Sequence, residues 1–525
     1  GFHLMVDARN RDALQRLRQR KQRPHKPLAV MYPDLAQIQA DCLVSELEEH
    51  LLRSPEAPIV LLRKHNKLKF ACEDIAPGNP DLGVILPYTP LHHLLMAELQ
   101  FPIVVTSGNL ADETICIDER EALKRLGQIA DVFLVHNRPI VRPVDDSIVR
   151  VMVDRPLVLR RARGYAPMPL LNEVEDTDPD RQILSVGGHL KNTIALGFER
   201  QIFLSQHIGD LETVPAFENF QKVISSLSSI YGFKPNAIAC DAHPDYLSSQ
   251  FAHQLGQQLA IPVIPVQHHY AHVLSCMVDN RIAPPVLGIA WDGTGYGLDG
   301  TIWGGEFLLI TAGAWERVAH FRPFPLPGGA KAMKEPRRAA VGLLWEIFGD
   351  KLGEMPDLKP LQSFADREFK TIEVMLSRQI NTPLTSSVGR LFDAIASLLD
   401  IRHQASFEGQ AAMELEFMLD RAEDGHYEFD VRSSVIDWSP TIVAILQDLE
   451  QNLPLNRISS KFHHTLVEII VSIAKQVGVK QIALTGGCFQ NKYLTERAVR
   501  RLRQAGFDPF WHHQIPPNDG SLAVG

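Results

Sequence analysis

The sequence has no run of about 18 uninterrupted apolar residues, the length that a membrane-spanning helix requires. Its first residues also lack the ordered basic, apolar and small-residue segments of a secretory signal. These absences argue against a membrane or secreted protein. We therefore predict a cytoplasmic location, with no membrane among the binding partners.

The sequence is poor in cysteine, with six residues spread singly along the chain. No two of them form a C-x-x-C pair, so neither a cysteine zinc site nor a dense disulfide framework is expected. We interpret the following residues as buried thiols: Cys42, Cys72, Cys116, Cys240, Cys276 and Cys488.

There is no excess of positive charge. The chain has 53 lysines and arginines against 62 acidic residues, which gives a net charge of -9. Binding of nucleic acid over the whole surface is therefore not expected, because it requires a net cationic surface. Basic residues are nevertheless concentrated in residues 9–26. This concentration indicates that an anionic ligand meets this end of the chain.

The sequence contains no short-period repeat and no low-complexity tract, which excludes a solenoid. A chain of 525 residues is too long for one core, and short β-like runs alternate with helical stretches, so we predict an α/β protein. The acidic residues around 172–180 are typical of an exposed linker. We predict domains over 1–170 and 183–525, joined by a linker at 171–182, with two subdomains in the second.

Three cations lie within six residues of one another in the segment Lys21 to Lys26, with Arg23 between them. Pro24 within this segment and Pro27 directly after it forbid a continuous helix and hold the segment extended, so all three cations can face one polyphosphate. A solvated basic loop is the alternative interpretation. The hydroxyl and amide cluster of residues 106–109 favours a nucleotide site, because it directly follows an apolar strand.

A second group of polar residues has the spacing of a metal site. His268 and His272 are four residues apart at the start of a predicted helix, where both imidazoles face one side. Asp292 ends an apolar run before a glycine-rich turn, and Asp519 lies in a second such turn. This donor set suits one divalent ion, iron or zinc by ligand type. A register shift of one residue would exchange His268 for His269.

The first part of the chain resembles the YrdC-like family. The resemblance rests on KQRPHKPLA from residue 21, TSGN from residue 106, HNRPIVRPVDDS from residue 136 and RRARGY from residue 160. It implies condensation of ATP, with Mg²⁺, and a small carboxylated nitrogen compound into an acyl adenylate. It also implies these roles: Lys21, Arg23 and Lys26 as catalytic cations, and Thr106, Ser107, Asn109, Arg150 and Arg161 in the nucleotide pocket.

Recurrent glycine turns in the second part resemble the actin-like ATPase (ASKHA) fold. With the H-x-x-x-H helix and the late N-D-G, they are similar to the branch that includes the tRNA threonylcarbamoyl-transfer protein. This resemblance implies a metal held by His268, His272, Asp292 and Asp519. It implies nucleotide contacts by Gly389, Asp393, Gly486, Gly487 and Asn491, with Asp393 reaching the ribose.

The order of the two parts resembles the HypF carbamoyltransferases, as do the phrases DARN, LSQHIGDL, DAHPDY and LPGG. That family uses carbamoyl phosphate and ATP to carbamoylate the C-terminal cysteine of the partner HypE, which supplies cyanide ligands for [NiFe]-hydrogenase. The resemblance covers the core of the family, without its N-terminal acylphosphatase and zinc-finger regions.

Three alternative functions are consistent with parts of the pattern. One is an O-carbamoyltransferase that acts on a hydroxyl of a small molecule. Another is an RNA-binding module of tRNA modification, suggested by the basic opening segment. The third is an ATP-driven clamp of the chaperone or sugar-kinase kind, suggested by the ASKHA-like turns alone.

Overall fold

A computed structural model of the chain describes residues 1–65, 72–110, 113–171 and 180–525. The chain forms two compact units. The first consists of Gly1–Val266 and His513–Val524, and the second of Gln267–His512 and Gly525. The acidic segment of the predicted linker, residues 172–179, lies outside the described residues, and the domain boundaries predicted from the sequence stay a prediction.

The first unit contains two sheets and the helices that cover them. Its strands are β1 His3–Asp7, β2 Ala29–Met31, β3 Ile59–Arg63, β4 Asp81–Ile85, β5 Ile103–Ser107, β6 Ile148–Met152, β7 Arg155–Arg160, β8 Pro169–Leu171, β9 Ile183–Ser185, β10 Ala195–Phe198, β11 Gln201–Leu204, β12 Ala237–Asp241 and β13 Val263–Val266. Its helices are α1 Arg11–Arg20, α2 Leu35–Asp41, α3 Glu46–Arg53, α4 Cys72–Ile75, α5 Pro90–Leu99, α6 Glu119–Leu126, α7 Val214–Tyr231 and α8 Leu247–Leu259.

The seven-stranded sheet of this unit has the order β1-β5-β2-β4-β3-β6-β7, with both parallel and antiparallel neighbours. Strands β3 and β4 largely alternate half-buried and buried side chains, and the buried ones form a core with the helices around Val30, Val60 and Val84. Strand β5 is buried on both faces up to Thr106, which places the polar residues after it at the end of a rigid strand.

The second sheet of this unit has the order β13-β12-β9-β10-β11-β8. Helix α7 packs on it through a buried stripe that includes Phe220, Val223 and Leu227, at the three- and four-residue spacing of one helix face. The helix begins at a Thr213 cap and ends at Gly232, whose φ of 61° is a left-handed conformation that glycine adopts without strain.

The second unit is built on a nine-stranded sheet. Its strands are β14 Val286–Tyr296, β15 Ile302–Ile310, β16 Trp315–Phe321, β17 Phe324–Pro325, β18 Leu384–Thr385, β19 Asp430–Arg432, β20 Val435–Asp437, β21 Gln481–Thr485 and β22 Asp508–Trp511. Its helices are α9 His268–Asn280, α10 Pro336–Phe348, α11 Lys359–Gln362, α12 Asp366–Ser377, α13 Val388–Leu398, α14 Gln410–Phe417, α15 Ser439–Glu450, α16 Leu455–Val477 and α17 Lys492–Gln504.

The central path of this sheet is β19-β20-β16-β15-β14-β21-β22. Strand β14 lies between antiparallel β15 and parallel β21, and its residues from Val286 to Asp292 are buried. Ala290 of β14 pairs with Thr485, the last residue of β21, and β14 has an irregular register with β15 between Trp291 and Gly295. This irregular part of β14 therefore lies beside the turn that follows β21.

The predicted α/β class is confirmed by these mixed sheets and covering helices. Among the described residues, no helix is both long and apolar enough to cross a bilayer. Four of the predicted buried thiols, Cys42, Cys116, Cys240 and Cys276, are buried and free. Cys488 is free but only half-buried, which corrects its interpretation as a buried thiol. The side chain of Cys72 lies outside the described residues.

Candidate active sites

The first candidate site lies where α1 ends beside the end of β5. Lys21 follows α1 directly and is 3% exposed. Its Nζ donates to the carbonyl oxygens of Ser107 and Asn109 at 2.7 and 2.6 Å, and to Asn109 Oδ1 at 2.8 Å. Burial, and after it the charge of Arg23, lowers the pKa of Lys21 to about 7. This cation therefore holds the predicted nucleotide turn in one conformation.

The turn itself is tightly hydrogen-bonded. Ser107 Oγ donates to Asn109 Oδ1 at 2.7 Å, and Asn109 Nδ2 donates to the carbonyl of Glu113 at 2.6 Å. Thr106 accepts a hydrogen bond from Arg23 Nη1 at 3.3 Å. The structure thus brings Lys21, Arg23 and the 106–109 turn together, as the sequence predicted.

Arg23 and Lys26 differ in exposure. Burial, followed by the charges of Arg160 and Arg18, lowers the pKa of Arg23 to about 10, which leaves it charged at neutral pH. Lys26 is exposed at the surface of the same segment. Lys21 and Arg23, held close together with little water to screen them, can attract a polyphosphate anion.

Arg150 and Arg161 have partners within the first unit. Arg150 Nη2 donates to the carboxylate of Asp81, joining β6 to β4. Arg161 donates to the carbonyls of Gln514 and Met168 at 3.2 and 2.5 Å. Both arginines are buried, and their predicted place in the nucleotide pocket stays a prediction.

The second candidate site lies in the second unit, where the irregular part of β14 after Trp291 is beside the end of β21. Helix α9 begins at His268, so His268 and His272 lie on one face, one turn apart. Their Nε2 atoms are 3.6 and 3.2 Å from Asp292 Oδ2, and all three residues are buried. Each offers a ligand atom, and these atoms lie within 4.8 Å of one another. Two imidazoles and a carboxylate in this arrangement fit a divalent metal ion.

The Asp292 carboxylate is oriented by two backbone amides. Its Oδ1 accepts hydrogen bonds from the N–H of Gly293 at 2.8 Å and of Gly487 at 3.1 Å, so Oδ2 is directed at the imidazoles. Burial favours the neutral acid, but hydrogen bonds from His268 and His272 lower the pKa of Asp292 well below its usual value. The carboxylate is therefore ionised and preorganised as a ligand.

His269 does not share this geometry. Its Nδ1 lies 3.4 Å from Gln267 Nε2, and its ring packs 6.1 Å from the ring of Trp303. The register with His268 and His272 beside Asp292 is therefore the one that the structure favours.

Gly389 and Gly486 allow close approach of backbone segments around Asp292. A Cβ on Gly389 would lie 2.8 Å from Gly293 Cα, and one on Gly486 would lie 2.2 Å from the carbonyl oxygen of Trp291. Gly486 also has a φ of 95°. Because these two residues have no side chains, α13 and the turn after β21 can pack directly against residues 291–293 of β14.

Asp393 and Asn491 are engaged in side-chain contacts. Asp393 Oδ2 lies 2.7 Å from Arg390 Nη1, and burial raises the pKa of Asp393 to about 6. Asn491 caps α17 by accepting from the N–H of Leu494 at 2.9 Å, and its Nδ2 donates to His463 Nε2 at 2.9 Å. The predicted ribose and nucleoside contacts of these two residues stay predictions.

Asp519 belongs to the first unit, where it is the first residue of the 3-10 helix Asp519–Val524. It is 7% exposed, and its Oδ2 lies 4.0 Å from the position that a Cβ on Gly188 would occupy. Its predicted role as a fourth metal ligand stays a prediction.

Sequence reasoning missed Ser387 and Arg390, which flank Gly389. Ser387 Oγ accepts from the N–H of Arg390 at 3.2 Å and donates to the carbonyls of Asp292 and Gly293 at 2.5 and 2.9 Å. It therefore joins α13 to Asp292 and Gly293 of β14. The signal was present in the motif SVGRLFD, where a helix-capping serine stands two residues before a glycine.

Family models match three consecutive parts of the chain. The Sua5, YciO and YrdC model, described as telomere recombination, matches residues 1–162. The HypF Kae1-like domain matches residues 178–279, and the second subdomain of the carbamoyltransferase Kae1-like domain matches residues 288–525. The fold and these matches define a carbamoyltransferase with a YrdC-like part followed by a Kae1-like part.

Relatives are similar along the whole sequence. Carbamoyltransferase HypF of Synechocystis sp. is 48% identical, over 100% of this chain and 69% of the relative. A crystal structure of full-length HypF in the phosphate- and nucleotide-bound form has a TM-score of 0.93 at 41% identity, covering 100% of this chain and 82% of that one. T. kodakarensis HypF has a TM-score of 0.92 at 32% identity, covering 100% and 70%. The chain belongs to the HypF carbamoyltransferase family.

Proposed function

We propose that the first site makes carbamoyl adenylate from ATP, held with Mg²⁺, and carbamate released from carbamoyl phosphate. A carbamate oxygen attacks the α-phosphorus of ATP, the bond to the β-phosphate bridging oxygen breaks, and pyrophosphate leaves. The pair formed by buried Lys21 and half-buried Arg23 beside the 106–109 turn is the observation that carries this proposal. With Lys26 they neutralise charge that develops on the phosphates.

The contacts in this site support the nucleotide-binding roles. Thr106, Ser107 and Asn109 are held at the end of β5 by Lys21 and Arg23, so their polar groups need little reorganisation when ATP binds. The intramolecular partners of Arg150 and Arg161 favour a supporting role over direct contact with the nucleotide.

We further propose that the second site holds one divalent metal ion, iron or zinc, on His268, His272 and Asp292, with Asp519 as a fourth ligand. The convergence of two imidazoles on an ionised carboxylate supports the first three ligands. The bound ion would act as a Lewis acid on the phosphate of the adenylate. The backbone of Gly389, Gly486 and Gly487 would contact the nucleotide beside it, with Asp393 and Asn491 at the rim of the site.

The acceptor in this proposal is the C-terminal cysteine thiolate of the partner HypE. Its sulfur attacks the carbamoyl carbon, a C–S bond forms, the C–O bond to the phosphate breaks, and AMP leaves with the electron pair. The carbamoylated partner then supplies cyanide ligands for [NiFe]-hydrogenase. Because the nucleophile belongs to the partner, this chain needs no activated cysteine of its own.

Separate variants of the two sites test this division of labour. We expect Lys21→Ala to abolish carbamate-dependent ATP–pyrophosphate exchange and to keep the metal content of the wild type. We expect His272→Ala to keep the exchange and to lose both the metal and carbamoylation of HypE. His269→Gln is the matched control on the same helix, and it should retain the metal because its ring lies outside the ligand group.

Loss of the same step in both variants would contradict the two-site proposal. Carbamoylation of a small hydroxyl compound in place of the HypE thiol would identify an O-carbamoyltransferase. Release of ADP and inorganic phosphate in place of AMP and pyrophosphate would support an ATP-driven clamp. Tight RNA binding that weakens with salt, without nucleotide turnover, would support the RNA-binding alternative.

A further inference from the structure

Arg390 is a buried arginine whose side chain is paired along one edge only. It lies in the first turn of α13 and is 6% exposed. Its Nη1 contacts Asp393 Oδ2 at 2.7 Å and the carbonyl of Met333 at 3.4 Å. Within the described part of the chain, its buried Nε has no hydrogen-bond partner, and Nη2 has none either.

The unpaired edge of the guanidinium lies along Gly293 of β14, next to Asp292. Nη2 is 3.3 Å from the position that a Cβ on Gly293 would occupy, so the guanidinium reaches the turn because residue 293 has no side chain. Gly389, next to Arg390, contacts Gly293 directly.

An unpaired edge on a buried guanidinium is costly unless a ligand satisfies it. A buried N–H without a partner costs about 1–3 kcal/mol, and more on a charged group. The Nε–H and one Nη2–H of arginine point in parallel, which matches two oxygens of a phosphate or carboxylate. The ion pair with Asp393 uses Nη1, on the opposite edge of the guanidinium. A purely structural role of Arg390 in α13 therefore does not explain why Nε and Nη2 are left as donors.

We propose that Arg390 binds two phosphate oxygens of the adenylate in the second site, with Nε and Nη2 as the donors. The identity of this ligand rests on the function proposed above. A phosphate fits better than a carboxylate, because its further oxygens would face the ligand group of Asp292. The guanidinium would then neutralise negative charge on the phosphate together with a metal ion held by Asp292. This neutralisation would make AMP a better leaving group.

A comparison of AMP with adenosine isolates this contact, because the two ligands differ only in the phosphate. We would titrate each into metal-loaded full-length protein by calorimetry, in a Lys21→Ala background that weakens the first site. Arg390→Gln should weaken AMP binding at the second site by about 10- to 100-fold, since a hydrogen bond to a charged group is lost. Adenosine binding should change less than about threefold, and metal content should stay at the background level.

Two further variants keep this test decisive. Arg402→Gln removes another arginine of the second unit, one paired on two donors with Glu414 at 2.9 and 2.7 Å, and should leave AMP binding unchanged. Arg390→Lys preserves the charge beside Asp393 but not the parallel donors, so it should fold even if Arg390→Gln does not, and should still weaken AMP selectively. Equal effects on AMP and adenosine, or no effect of Arg390→Lys on AMP, would overturn the proposal.

The outcome separates this inference from the proposed function. If the wild type fails to carbamoylate HypE but the selective loss of AMP binding is observed, the phosphate contact stands and the acceptor assignment fails. If the wild type carbamoylates HypE and Arg390→Lys binds AMP as the wild type does, the assignment of Arg390 fails and the proposed function stands.

Discussion

At the scale of single residues, the protonation state of Lys21 sets the charge of the first site. Burial and the neighbouring Arg23 lower its pKa from 10.5 to about 7, so the ammonium of the free protein loses its proton as the pH rises through about 7. Because the phosphates require the protonated form, we expect kcat/KM for ATP–pyrophosphate exchange to fall about tenfold per pH unit above that pKa. The measurement is a pH profile of the exchange rate.

Lys21→Arg is the control for this profile, because a guanidinium keeps its charge across the measured range. The variant should lose the descending limb above about pH 7, even if its maximal rate is lower. A descending limb that stays at the same pH in Lys21→Arg would assign the titration to another group.

The residues of the candidate sites could be chosen from the sequence, but the side-chain partners of several of them could not. The spacing of Lys21 and Arg23 and the position of TSGN after a strand predicted one candidate site, and H-x-x-x-H predicted the helix of the other. The pairing of Arg150 with Asp81 could not be predicted, because it joins residues 69 positions apart through the order of strands in the sheet. Long-range partners depend on strand order, which a single sequence specifies weakly.

At the scale of elements, the turn after β21 holds the second site together. Alanine at Gly486 would place its Cβ 2.2 Å from the carbonyl oxygen of Trp291 and would strain a backbone with a φ of 95°. The turn must then move away from β14, and the Gly487 N–H loses Asp292 Oδ1. We expect Gly486→Ala to lower both the melting temperature and the bound metal, measured by calorimetry and elemental analysis.

Gly478→Ala is the matched control for this substitution. Gly478 ends α16 with a φ of 74°, and nothing lies within 4 Å of its modified position. It therefore carries similar left-handed strain, about 1–2 kcal/mol, without the collision. This variant should lose stability but keep its metal, and a Gly486→Ala protein with full metal content would contradict the role assigned to the turn.

Many elements were predictable because their local patterns were strong. The sequence over 216–231 predicts a helix, which corresponds to α7, Val214–Tyr231, and the apolar run over 481–484 predicts a strand, which corresponds to β21, Gln481–Thr485. The sequence also predicts a helix over 463–476, which is part of the longer α16, Leu455–Val477. Its start was missed because Pro454 precedes a polar first turn, which lacks the apolar periodicity that identified the rest.

At the scale of the whole molecule, the chain leaves the first unit after Val266 and returns to it at His513. His513–Val524 belongs to that unit, although the 246 residues of Gln267–His512 separate it from Val266. No local pattern in the sequence predicts such a return, because it depends on contacts between residues hundreds of positions apart. The carbonyl of His513 accepts from the N–H of Val158 at 3.0 Å, and Asn518 Nδ2 donates to the carbonyl of Leu159 at 3.2 Å.

Removal of residues 513–525 tests how far the first unit depends on this return. The truncated chain loses the carbonyl of Gln514, an acceptor of the buried Arg161, and the carbonyl of Gly520, which accepts from Thr193 Oγ1 at 3.1 Å. Since buried donors without acceptors destabilise a fold, we expect faster proteolysis of the first unit and loss of pyrophosphate exchange at a lower temperature. A synthetic peptide of residues 513–525, added in excess, should restore part of both. Unchanged proteolysis and exchange after truncation would show that the first unit folds without its C-terminal segment.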